Sequence, residues 1–289
     1  MFIKDHSSEF SVKKMCEVLK VSRSAYYEWL KRPMTNREIE DIKLSEQIKV
    51  IFNESRQTYG HRRVKKFLKR CGIKCSNDRI RRLMKQMNLV PVHRKRFKAT
   101  TNSNHSLPVA PNLLKRNFLA DKPRHILVGD ITYISTDEGW LYLAAVVDLF
   151  SRRVVGWALG SRMTKELVIK AMKQTLHHEQ LEEGAIFHSD RGSQYASYYY
   201  QALLKEHNIL QSMSSKGDCY DNACAESFFA TLKKELIYRR SFKTRSRAKI
   251  EVIDYILWYN SQRLHSYLDY CSPMEFEKIY FESLHPEAA

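Results

Sequence analysis

The sequence predicts two kinds of structure in series, a basic all-α front region and an α/β core in which a mixed sheet is flanked by helices. Two observations predict it. The first is charge: residues 1–124 hold 30 Lys/Arg and 11 Asp/Glu, while residues 125–289 hold 19 and 21, so the whole net excess of +17 lies in front. The second is period. Apolar residues recur at helical spacing as far as residue 90, and from residue 125 they gather into short runs of strand length.

The bulk properties narrow the class. A chain of 289 residues suits about two domains. No apolar run reaches the roughly 18 residues of a membrane span, and Met1–Phe10 is too polar for a secretory signal. The expectation is a cytoplasmic protein with no membrane segment. Cys16, Cys71, Cys75, Cys219, Cys224 and Cys271 lack zinc-site spacing and read as small buried hydrophobes.

In the front region, Ser11 caps a helix whose apolar face is Val12, Met15, Cys16 and Leu19. Ser22 caps a second, with Ala25, Tyr26, Trp29 and Leu30, and Pro33 ends it. Two short helices and a brief turn over 11–31 are the plan of a helix-turn-helix. A longer helix over 36–55 carries Ile39, Ile42, Ile48, Ile51 and Phe52. A second helix pair over 60–90 follows, with Val64, Phe67, Leu68 and Cys71 on one face, Gly72 at the turn, and Ile80, Leu83, Met84 and Met87 beyond Ser76.

Residues 61–100 carry 15 basic groups and one acid, Asp78. Such a block attracts polyanions, DNA phosphates first among them. Arg62, Arg63, Lys66, Arg81 and Arg82 are the candidate DNA contacts on the helices, and Arg94, Lys95 and Arg96 those of the segment that follows. The boundaries are a helical DNA-binding region at 1–91, a basic linker at 92–124, an α/β core at 125–240 and a helical extension at 241–289.

The core reads as strands over 125–134, 141–149 and 153–159, then a helix over 164–178. A short strand over 185–188, a helix over 197–207 and a strand over 209–213 follow. Long helices over 221–238 and 244–262 complete it. Asp130 falls in the middle of the first apolar strand, where a carboxylate is costly unless compensated. Asp190 follows a short buried strand, and Glu226 lies early on a helix with Lys233 seven residues on, along the same face. Three acids from three elements suffice for divalent metals in phosphodiester chemistry, because the substrate's phosphate oxygens supply other ligands. Asp137, Asp148, Asp218 and Asp221 compete on residue type alone, Asp148 most seriously because it too lies in a strand.

Around these residues the sequence resembles the DDE integrase superfamily and, within it, the OrfB transposases of the insertion sequence three family. Thirty-five residues separate Asp190 from Glu226, the spacing of the "D,D(35)E" group. The runs His188–Tyr195 and Ser214–Ala223, with Glu226, Phe228, Phe229, Leu232 and Lys233, resemble the family motifs around the second and third acids. Tyr59–Arg63 resembles its upstream helical element, and Tyr259, Asn260, Arg263, His265, Pro273 and Phe276 its C-terminal motif. The resemblance runs from residue 10 to 280.

It implies an RNase H-like fold and a catalytic, metal-binding triad of Asp130, Asp190 and Glu226. Two Mg²⁺ ions would be held there, with Mn²⁺ able to substitute. It implies cleavage and strand transfer at the ends of an insertion sequence, and Lys233 as a contact to the DNA over the metals. The implied partners are double-stranded DNA (terminal inverted repeats and target), further copies of the chain, and an upstream-frame OrfA product or fusion. Two other classes compete: a DNA-binding regulator with a silent core, and a nuclease that cuts without joining. Joined strands separate the transposase from both.

Overall fold

The computed structural model describes residues 2–91, 108–115, 117–214 and 223–284. Its front region is helical throughout: α1 (Phe2–Asp5), α2 (Val12–Val18), α3 (Arg23–Lys31), α4 (Asn36–Glu54), α5 (His61–Arg70) and α6 (Asn77–Gln86). The starts are set locally. Ser11, Ser22 and Ser76 each accept an N–H of the first turn, and Thr35 with Glu38 closes a reciprocal capping box. Gly72, at φ 79°, makes the turn between α5 and α6.

Burial departs from the predicted faces in this region. Ile3, Met15, Cys16 and Tyr26 form a small core of their own, leaving Leu19 and Leu30 exposed. On α4, Ile39 and Ile42 are exposed, and Leu44 joins Ile48, Ile51 and Phe52 inside. The reason is electrostatic: Asp41, near the start of α4, receives Arg79 at 2.7 Å and Arg82 at 2.5 Å. That edge of the helix meets α6 through ion pairs, not apolar packing.

The core holds β1 (Ile126–Thr136), β2 (Gly139–Asp148), β3 (Val154–Gly160), α7 (Lys165–His178), β4 (Ile186–Ser189), α8 (Tyr198–Glu206), β5 (Leu210–Met213) and α9 (Ala223–Glu235). The strands form one sheet ordered β3-β2-β1-β4-β5, antiparallel across β3-β2-β1 and parallel across β1-β4-β5. One face buries Leu127, Val146 and Phe187 with α7 and α8. The other buries Val128, Ile134, Leu143 and Val147 with α9 and α10 (Arg245–Ser261), and this cluster continues into Ile48, Phe52, Val64 and Leu68 of the front helices.

The linker expected over 92–124 is partly built into the core. Met213 donates its N–H to Pro111 at 3.3 Å, and Leu113 donates to the Ser212 hydroxyl at 2.9 Å, so this segment runs along β5. A final helix, α11 (Pro273–Leu284), lies in the stretch read as a helical extension, where no separate element was placed.

Glu235, the last residue of α9, is buried and accepts Tyr255 at 2.8 Å and a two-point grip from Arg263 at 2.7 and 2.9 Å. Burial opposes its charge, but Arg263 and Tyr255 prevail and hold the carboxyl below its ordinary range. Glu235→Ala should therefore cost about 3–5 kcal/mol in urea denaturation, because it leaves a buried guanidinium unpaired. Since the folded pKa is depressed, the native pair contributes above the unfolded carboxylate range. Its contribution fades as pH falls through the folded pKa, so the gap between native and variant should close in acid.

Candidate active site

Sheet register brings the first two acids together. β1 and β4 are parallel, and their last paired residues are Gly129 and Ser189. The next residue on each strand is Asp130 and Asp190, so the carboxylates emerge side by side where β4 ends. Gly129 permits this closeness: a Cβ there would stand 2.3 Å from the Phe187 ring. Side-chain alternation places Asp130 on the sheet face covered by α9.

Local hydrogen bonds hold both aspartates and the turn after β4. Asp130 accepts the Ile131 N–H at 2.7 Å, and Asp190 accepts the Gly192 N–H at 2.9 Å, which tightens the turn after β4. Arg191 donates to the Ser214 carbonyl at 2.6 Å and ties that turn to the end of β5. His188 lies buried beneath, 2.8 Å from the Ser212 hydroxyl.

The electrostatics couple the three acids. Burial pushes the Asp130 carboxyl well above its ordinary range, and the charges of Asp190 and Glu226 push it further. Glu226, exposed on the first turn of α9, is raised by partial desolvation and by Asp190. Tyr195 is buried close by, its phenol raised by burial and by both aspartates. The ammonium of Lys233 sits 4.9 Å over the Tyr133 ring and pulls Asp130 the other way, while its own pKa is lowered by burial. Sequence reading placed Lys233 beside Glu226; the structure adds its pull on Asp130 and the aromatic support of Tyr133.

The donor set suits a hard divalent cation: three oxygen-bearing side chains, two of them held toward neutrality by burial and mutual repulsion. Among the described residues, no three Asp, Glu, His or Cys side chains already form a closed metal cage. Of the competitors, Asp148 is fully buried and occupied, accepting the N–H groups of Arg124, Phe150 and Ser151. Burial pushes its carboxyl up to about 6. Asp137 lies at the β1–β2 turn, and Asp218 and Asp221 fall outside the described residues.

The candidate DNA contacts divide. Arg62 and Arg81 are exposed. Arg82 is tied to Asp41, and Lys66 lies 4.8 Å over the Tyr270 ring and 3.6 Å from Asp269. Arg63 has a partner within the chain. Its guanidinium is partly buried 5.6 Å over the Tyr59 ring, its pKa lowered by desolvation and by Arg263, so it serves packing within the chain. Arg94, Lys95 and Arg96 lie outside the described residues.

The sign of the Asp130 shift gives a test. A raised carboxyl stabilises the fold fully below the unfolded carboxylate range, and that contribution is lost as pH rises through the folded pKa. Above the unfolded carboxylate range, burial's preference for the neutral carboxyl opposes folding. Asp130→Asn should raise the metal-free melting temperature at pH 8, on the order of 1 kcal/mol of stability, and abolish any Mg²⁺-induced rise. An unchanged Mg²⁺ response in the variant would remove Asp130 from the metal site.

Comparison with known proteins bears on the whole chain. Models of the integrase core domain match residues 120–219 and 226–281, and an HTH-like domain matches residues 38–97. The match spans α4 to α6 and leaves the α2–α3 pair outside. The insertion element IS600 31 kDa protein of Shigella sonnei is 44% identical over 93% of this chain and 99% of its own length. Transposase InsF for insertion sequence IS3A of Escherichia coli (strain K12) is 41% identical over 96% of this chain and 97% of its own. Among solved structures, the HTLV-2 integrase catalytic core domain in complex with magnesium aligns with a TM-score of 0.44 and 17% identity, over 55% of this chain and 99% of that one. The mixed five-stranded sheet with its flanking helices is an RNase H-like core, and the chain belongs to the IS3 family of insertion-sequence transposases, enzymes of DNA transposition in the DDE integrase superfamily.

Proposed function

We propose that Asp130, Asp190 and Glu226 are the catalytic and metal-binding triad of this transposase, and that it cuts insertion-sequence ends and joins them to target DNA. One observation carries the reading: β1, the end of β4 and the first turn of α9 place three carboxylates so that each is linked to another through its charge. Two Mg²⁺ ions, with Mn²⁺ able to substitute, would bind there and supply Lewis acidity to the attacking and leaving oxygens. The three carboxylates hold that charge in place. Lys233, propped on Tyr133, faces the scissile phosphate and balances its charge. A water opens the phosphodiester at the element end and frees a 3′-OH. That 3′-OH attacks a second phosphodiester, with no covalent bond between protein and DNA and, as in the family, by way of a circular intermediate.

The HTH-like helices grip the element end, with Arg62 and Arg81 on phosphate. Two ends must meet, so the working form is a homo-oligomer, assisted by the OrfA product or fusion. Among the described residues, no helix is long and apolar enough to cross a membrane.

The test uses labelled duplex carrying the element's ends and a target duplex. Native chain with Mg²⁺ should give joined product, whereas Asp190→Asn and Glu226→Gln should bind DNA yet neither cut nor join, a loss of at least about 1,000-fold where a metal ligand is essential to the transition state. Nicked ends without joining would identify a nuclease instead. Arg81→Ala should weaken binding to all sequences alike and reduce the slope of log K against log salt by about 1; a sequence-dependent loss would make Arg81 a base reader.

A further inference from the structure

Two sequence motifs have no part in the chemistry above: Tyr59–Arg63 in the front region, and the segment around Tyr259–His265 at the other end of the chain. The fold brings them together. The buried Tyr59 hydroxyl donates to the Gln262 carbonyl at 3.2 Å and accepts the Leu264 N–H at 2.7 Å. It thus holds the backbone on both sides of Arg263, whose guanidinium grips Glu235 at the end of α9. Glu226 lies on the same helix nine residues earlier, roughly 13 Å along its axis.

A second grip acts on the tail of α9. Arg239 reaches from the helical turn after Glu235 to the Arg56 carbonyl at 2.6 Å and the Gln57 side chain at 2.9 Å. Both residues adopt left-handed backbone, with φ of 55° and 61°. For non-glycine residues such conformations persist only where the surroundings hold them. Arg239 thus meets the turn that ends α4. Arg56 also pairs with Asp254 at 2.6 Å and lies over the Trp258 ring at 5.2 Å. Arg70 pairs with Glu275 at 2.9 Å.

We propose that this docking is a ruler. By fixing the HTH-like helices on the frame around α9, with Tyr59 beside Arg263, Arg56 on α10 and Arg70 on α11, these side chains set the distance between the DNA gripped by the front region and the phosphodiester that is cut. They are positioning residues. The proposal rests on the triad reading above, since it needs Glu226 at the point of cleavage.

The experiment maps cut positions at single-nucleotide resolution on an end-labelled duplex spanning the element's terminal repeat and its flank, with the full chain and Mg²⁺. Tyr59→Phe, Arg56→Ala and Arg70→Glu should lower cutting at the native position by about 10- to 100-fold, as expected for a misplacement near 1 Å, while new cuts appear at neighbouring phosphodiesters. The double variant Arg70→Glu with Glu275→Arg should restore the native position. Arg70 and Glu275 are each 39% exposed, so this pair tests the idea even if Tyr59→Phe folds poorly. Uniform loss at every position, or an unchanged pattern in variants that melt like the native chain, would overturn the ruler. Glu226→Gln is run alongside. If it still cuts, the triad reading has failed; if it is silent while the docking variants cut only at the native position, the ruler alone has failed.

Discussion

A buried ion pair, Glu235 with Arg263, stands where the front region, α9 and the segment after α10 meet. Glu235 ends the helix that begins with Glu226, Arg263 follows α10, and the backbone beside Arg263 is held by Tyr59 from the front region. Removing two charges from water costs several kcal/mol per ion, and only a well-made geometry offsets it. Here both carboxylate oxygens are engaged, Tyr255 adds a third donor, and Arg263 lies 5.5 Å over the Tyr259 ring. His265 beside them is pushed down to about 2 by burial and by Arg263, so it stays neutral and adds no positive charge to the cluster.

The candidate active site has the opposite character. At Glu235 the charges are paired; at Asp130 they conflict. Parallel register fixes Asp130 and Asp190 as neighbours, α9 adds Glu226, and Lys233 opposes this charge only in part. The rigid frame pays for this strain, since a fold with one continuous core from α4 to α10 tolerates local repulsion that a looser one would relieve by moving apart. A site so arranged is complementary to positive charge before any arrives.

Most of the core was legible because its signals are local. Apolar runs bounded by turns located every strand of the sheet to within a few residues, and in the front region Ser11, Ser22 and Ser76 marked helix starts. The three proposed acids stand out in the sequence only as a family pattern, since Asp148 sits as deeply in a strand, where it caps a turn. What failed was whatever depends on the partner of a face. Ile39 and Ile42 have helical spacing but no element to cover them. The segment near Pro111 lacks periodicity yet packs along β5. Gly129 and Gly156 gave no sequence signal, because their need for a bare Cα comes from Phe187 and Thr175, which are distant in the chain.

Charge counting failed in an instructive way. The basic block over 61–100 reads as one DNA-facing surface, but α5 divides its cations between two sides. Arg62 and Lys69 are exposed, whereas Arg63 packs on Tyr59, Lys66 on Tyr270, and Arg70 on Glu275. On α6, Arg79 and Arg82 are drawn to Asp41. A helix that offers cations to phosphate on one side and to its own chain on the other fixes one relative to the other. Net charge measures attraction to DNA; only the division of those charges between faces measures how DNA is placed with respect to the cutting site.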